Sequence, residues 1–142
     1  MKKKRKKQVN KESKSYQKKE LKKLKSRCHS LWSRMVRDLA GNRCVFCGDT
    51  KYIHAHHIED SRLCPSLRYD IRNGLSCCAS HHKFSSEAKG RGDAVHKSFI
   101  FIYDYMTENR PEDIVYLREH RKDKVEITKE YLLKKIKELN YP

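Results

Sequence analysis

The spacing of Cys44-Val45-Phe46-Cys47 returns further along the chain as Cys78-Ala79-Ser80-His81, all within 142 residues. Two ligands three positions apart can reach one ion from a single tight knuckle, so two such knuckles close a four-ligand site. A chain this short buries a limited core, and an ion tying two distant segments together is the strongest constraint on how it folds. A lone Cys-x-x-Cys would also suit a redox pair. The second half-site, and the lack of a strand–helix–strand pattern around the first, favour a structural Zn²⁺ held by three sulfurs and one nitrogen. The leading set is Cys44, Cys47, Cys78 and His81. The register of the second half stays open, because Cys77 adjoins Cys78 and His82 adjoins His81. Cys28 and Cys64 read as small apolar residues.

Charge is placed unevenly. Of 34 Lys and Arg, 14 lie in residues 1–27 against Glu12 and Glu20, giving that segment +12 of the chain's net +16. A block such as Lys2-Lys3-Lys4-Arg5-Lys6-Lys7 repels itself and offers counterion-releasing contacts to a polyanion, so nucleic acid is the expected partner. A membrane surface is disfavoured, since the run carries no interleaved apolar face. The start MKKKRKKQVNKESKSYQKKE never turns hydrophobic, so no secretory signal is expected and a cytoplasmic, reducing setting follows. No apolar run approaches the roughly 20 residues that span a bilayer.

The expected fold class is α+β, mainly helical: a zinc-stapled module flanked by a long N-terminal helix and C-terminal helices. Residues 1–14 read as a disordered basic tail. Residues 15–42 read as an amphipathic helix packing on the module, with Leu21, Leu24, Cys28, Leu31, Trp32, Met35, Val36 and Leu39 on one face and Gly41-Asn42 as the stop. Residues 43–90 form the module: a Cys knuckle, a short strand through Tyr52, Ile53 and the histidines, an irregular stretch with Pro65, the turn signal Asn73-Gly74, then a strand and a helix. Residues 91–142 form a helical extension. A helix is expected from Ala94 to Met106 after the Lys89–Asp93 break, with Phe99, Phe101, Tyr103 and Tyr105 packing against the long first helix. A second opens at Pro111 with Glu112 and Asp113 in its first turn, and a third is capped by Thr128.

Once the zinc is satisfied, His56, His57 and His82 remain. Adjacent side chains on a strand point to opposite faces, so His56 and His57 are expected to do different work. One would join His82 as a metal ligand and the other would take a proton from water. His54 reads as a strand residue or a further ligand.

These residues carry a resemblance. Cys44-x-x-Cys47, His56-His57-Ile58, Leu67-Arg68-Tyr69-Asp70-Ile71-Arg72-Asn73-Gly74 and Cys78-x-x-His81-His82-Lys83 together resemble the HNH endonucleases, in particular their zinc-containing, phage-type members. The resemblance covers about residues 43–84. One departure is His81, which stands where the family usually has its fourth zinc cysteine, an exchange zinc accepts. The resemblance implies a ββα-metal fold, with His57 as general base, His56 and His82 holding a catalytic divalent metal (Mg²⁺, Mn²⁺, Ni²⁺ or Zn²⁺), and Asn73 tying the loop that orients His57. It further implies hydrolysis of DNA phosphodiesters, most naturally in duplex DNA, inside a bacterial or phage-infected cell. Arg68, Arg72 and Lys83 would contact the phosphodiester. The alternative is a zinc-stabilised nucleic-acid-binding protein without catalysis. One such site cuts one strand at a time, so a double-strand break would need a dimer or two events.

Overall fold

A computed structural model describes residues 2–83, Val95 and 99–140, the first eleven of these by backbone alone. The fold is α+β and mainly helical. Helix α1 runs Lys2–Leu39, strand β1 Ile53–His57, strand β2 Gly74–Cys78 and the short helix α2 Ala79–His82. Helices α3 (Phe99–Asn109), α4 (Pro111–His120) and α5 (Lys129–Leu139) follow. The strands pair antiparallel with His56 opposite Leu75 and His57 opposite Gly74. No described helix is long and apolar enough to cross a membrane.

Helix α1 is longer than its apolar stripe, running through the segment expected as a disordered tail. Lys, Arg, Glu and Gln are good helix formers, and extending a helix already nucleated by packing adds a hydrogen bond per residue without a new nucleus. Only its C-terminal half is anchored: Cys28, Trp32 and Val36 are buried, whereas residues 13–19 are exposed. The helix ends at Gly41 and Asn42, both at positive φ, whose N–H groups return to the carbonyls of Asp38 and Arg37 at 2.9 and 2.8 Å.

Two apolar clusters lie on either side of the small sheet. On one side α1 meets α5, with Cys28, Trp32 and Val36 packed near Leu132, Ile136 and Leu139. On the other, Leu67, Leu75, Cys77, Ile102, Met106 and Leu117 enclose the knuckle region. The aromatic stretch of α3 therefore does not pack on α1 as expected. Phe101 and Tyr105 contact Phe46 of the first knuckle, with ring centroids 4.5 and 5.0 Å away. The apolar stripe of α1 is instead covered by α5, whose Leu132, Ile136 and Leu139 recur at helical spacing and can bury together. Pro111 opens α4, and the Thr128 hydroxyl caps α5 by accepting from the Tyr131 N–H at 3.1 Å, both as the sequence leads one to expect. The Lys89–Asp93 break and the expected helix start at Ala94 lie outside the described residues, Val95 excepted.

Asn73-Gly74 is not a tight reversal. Asn73 closes a 3-10 turn (Ile71–Asn73), and Gly74 opens β2 with φ −118°, a conformation any residue adopts. Glycine is required there for space: a Cβ would overlap the side chain of Val36, lying 2.9 Å from Cγ1 and 3.2 Å from Cβ. Gly74→Ala is expected to cost about 1–3 kcal/mol by overpacking, and Val36→Ala should restore part of it. Urea midpoints of the two single variants and the double variant test this; additive losses would show that the contact is not what selects glycine.

Candidate metal centre and histidine cleft

The first knuckle is built by backbone closure: the Cys44 N–H donates to Asp49 O and the Gly48 N–H to Cys44 O, each at 2.8 Å, with Gly48 at φ 75°. It is fastened to β2 by the Val45 N–H on Ser76 O at 2.9 Å and the Ser76 hydroxyl on Arg43 O at 2.8 Å. Cys78 ends β2 and sits at the N-cap of α2, which places His81 one helical turn on.

Cys44, Cys47, Cys78 and His81 thereby converge, with one ligand atom from each lying within 4.8 Å of all the others. Cys47 Sγ and Cys78 Sγ are 3.9 Å apart, and His81 Nδ1 is 3.6 Å from Cys44 Sγ and 3.3 Å from Cys78 Sγ. A tetrahedral ion with bonds of about 2.3 Å to sulfur and about 2.0 Å to nitrogen needs edges of roughly 3.8 and 3.5 Å. The four residues fit a metal ion. Burial, outweighing the backbone N–H groups of Cys78, Phe46 and Cys47 that pull the other way, pushes the Cys44 thiol up to about 11, so binding a cation there must release a proton.

The register left open in the sequence closes on Cys78 and His81. Cys77 points to the other face of β2, fully buried in the apolar cluster, where desolvation pushes its thiol up to about 12. Cys28 and Cys64 are likewise buried, as small apolar residues would be.

The remaining histidines divide by strand alternation. His54 and His56 share the face toward α2, with ring centroids 5.2 and 5.4 Å from His82. His57 takes the opposite face, against α1, and its ring lies parallel to Trp32 at 3.8 Å and 4°. Where β1 ends, a cleft of about 520 Å³ reaches both faces, and His56, His57, His82, Asp60, Ser61 and Arg62 line it. His57 Nε2 lies 2.8 Å from Arg68 O. A carbonyl only accepts, so Nε2 carries the proton and the lone pair of the neutral ring is at Nδ1. Burial holds the His57 pKa below its ordinary 6.5, outweighing the opposing hydrogen bond to Arg68.

Asn73 is fully buried and spends its whole amide on the backbone around this cleft. Its Oδ1 accepts from the Glu59 N–H at 2.7 Å, and its Nδ2 donates to Glu59 O at 3.0 Å and Leu67 O at 3.1 Å. The end of β1 is thus tied to the segment that carries Arg68 O. Asn73→Ala would leave three such groups unpaired, each costing about 1–3 kcal/mol. A loss of about 3–5 kcal/mol in urea unfolding is expected, and a loss below about 1 kcal/mol would mean that water replaces the amide.

The three basic residues expected to touch a phosphodiester fare differently. Lys83 is exposed at the end of α2. Arg68 is half-buried, and its Nε is enclosed with no hydrogen-bond partner. Arg72 is committed elsewhere, 3.2 Å from Asp113 and stacked over the Tyr116 ring at 4.4 Å. None of the three is among the cleft's lining residues. Arg62, which does line it, was not singled out in the sequence; its guanidinium is paired to Asp60 at 2.7 Å and is largely exposed. Nothing in its local pattern marked it, because only the turn after β1 brings it to the rim. In the sequence Trp32 belongs to an apolar stripe, and no local signal marks its contact with His57. Compared with known proteins, the chain finds no match: no family model, no curated protein and no solved structure.

Proposed function

We propose that the protein is a metal-dependent endonuclease of the HNH type that hydrolyses DNA phosphodiester bonds. The observation that carries this reading is the cleft lined by His56, His57 and His82, beside a four-ligand cluster that could hold a metal ion and behind an asparagine tie. A purely structural finger needs neither the leftover imidazoles nor the tie. The Cys44, Cys47, Cys78 and His81 cluster would hold zinc, since three thiolates and an imidazole suit its softness and tetrahedral preference.

In this reading His57 is the general base. Its proton is held at Nε2 by Arg68 O, its depressed pKa keeps the ring neutral near pH 7, and Nδ1 accepts the proton of the attacking water. His56 and His82 would hold a divalent ion, which would supply Lewis-acid stabilisation of the charge that phosphodiester hydrolysis develops. The products are a 5′ phosphate and a 3′ hydroxyl. The basic N-terminal region supplies sequence-independent affinity for the duplex.

One observation favours the alternative, a non-catalytic nucleic-acid-binding protein: a half-buried imidazole stacked on a tryptophan and bonded to a carbonyl is also how a structural histidine sits. A plasmid-relaxation assay separates the two. Wild type should relax supercoiled DNA with at least one of Mg²⁺, Mn²⁺, Ni²⁺ or Zn²⁺, and His82→Ala should lose this while keeping the zinc of the cysteine cluster. Intact plasmid with every metal, together with salt-dependent DNA binding, would select the alternative.

A further inference from the structure

We infer that Trp32, contributed by the long N-terminal helix, is a positioning residue for His57, so that the cleft depends on a side chain outside the segment that carries its histidines. The inference rests on the reading of His57 as the base, but the geometry beneath it stands independently.

An imidazole on a strand has one soft torsion that matters here, rotation about Cβ–Cγ, and two constraints meet on it. The first fixes the ring plane. Trp32 and His57 lie 3.8 Å apart and within 4° of parallel, so turning the His57 ring out of that plane drives it into the indole. The second fixes which edge faces which way. Arg68 O receives Nε2 at 2.8 Å, and a half-turn would put a C–H at that carbonyl in place of the N–H. Neither alone is sufficient, since stacking tolerates a half-turn and a single hydrogen bond tolerates tilting.

Trp32 is itself held against the same piece of backbone. Its indole N–H donates to Asp70 O at 2.8 Å, two residues beyond the carbonyl that receives His57, and the side chain is fully buried. Asn73 fastens the neighbouring Leu67 O at 3.1 Å. The two rings are therefore referenced to alternate carbonyls of one clamped segment, and their mutual orientation is set by that segment. With Nε2 protonated toward Arg68, the stack directs the Nδ1 lone pair along one line. A base that is free to tilt would spend much of its time misaligned, and a displacement of about 1 Å costs roughly 10²-fold in rate.

The test compares wild type, Trp32→Phe and Trp32→Leu, full-length and metal-loaded. Two measurements are made: steady-state plasmid cleavage, and nitrogen-15 spectra of the histidine rings with His57 assigned by His57→Gln. In wild type the His57 ring should appear as a single Nε2–H tautomer, with ring protons shifted upfield by the indole. Trp32→Leu should broaden or mix the tautomers and lower kcat about 10- to 100-fold, with KM changed less than about threefold. Trp32→Phe, which keeps an aromatic face, should recover most of both. Wild-type His57 showing mixed tautomers and no upfield shift would overturn the inference even if Trp32→Leu fails to fold. So would a folded Trp32→Leu with wild-type kcat and an unchanged tautomer. If wild type does not cleave but its His57 tautomer is single and loosens in Trp32→Leu, the nuclease reading fails and the positioning stands.

Discussion

Cys78→Ser is expected to abolish metal binding at the Cys44, Cys47, Cys78 and His81 cluster and collapse the region around the knuckles, lowering Tm by roughly 20 °C or more. Structural zinc contributes on the order of 10–16 kcal/mol to small zinc-folded domains near neutral pH. Here part of the structure, notably the α1–α5 packing, includes none of the four ligand residues, so a partial loss of about 5 kcal/mol is the conservative expectation. The register makes the prediction sharp. Cys77→Ser alters the adjacent cysteine, but Cys77 faces the apolar cluster and its thiol is held protonated by burial. That variant should keep one equivalent of metal and lose only the modest stability of a polar atom placed in an apolar site. Metal content by elemental analysis, with thermal melts of both variants, checks it; retention of metal and Tm in Cys78→Ser would remove Cys78 from the ligand set. Lowering pH should also release the metal, because each thiolate must take up a proton to leave it.

His57→Ala should reduce cleavage by about 10²–10⁴-fold, the range in which a positioned general base contributes, while leaving the fold and DNA binding in place. The stacking on Trp32 and the bond to Arg68 O are lost, so some stability goes as well. The metal cluster and both apolar clusters do not include this side chain. Retained DNA binding at low salt and a cooperative melt therefore distinguish lost chemistry from lost structure. A folded, DNA-binding His57→Ala that cleaves at the wild-type rate would sink the assignment. The pH dependence has a definite sign. His57 must be neutral to accept a proton, and burial places its pKa below 6.5, so cleavage should hold near neutrality and fall only in acid. Stability follows the same direction. The folded state binds fewer protons at His57 than the unfolded chain does, so this contribution is present above about 6.5 and is lost as pH falls toward the depressed folded value.

Local spacing carried a good deal of the fold. The half-sites around Cys44, Cys47, Cys78 and His81 were legible because ligand geometry is set within a knuckle, and the opposite facing of His56 and His57 was legible because a strand has a period of two. The Thr128 cap and Pro111 start were legible for the same local reason. The extent of α1 was not, because charge repulsion argued for a tail while propensity and a packed nucleus carry the helix on. The partner of the α3 aromatics was not, because an apolar stripe does not name the stripe it meets.

By itself, then, the sequence determined which side chains are presented together by each local element: two metal half-sites, a histidine pair split between faces, and helices with one apolar side. Only the tertiary structure decided the one-residue choice of Cys78 and His81 over Cys77 and His82, since that depends on where β2 ends and α2 begins. Only it decided that glycine 74 answers to Val36, that Arg72 is committed to Asp113, and that His57 rests on Trp32. Each of these is a contact between segments far apart in the chain. Close packing selects such contacts by shape once the elements dock, and no periodicity within either segment encodes them.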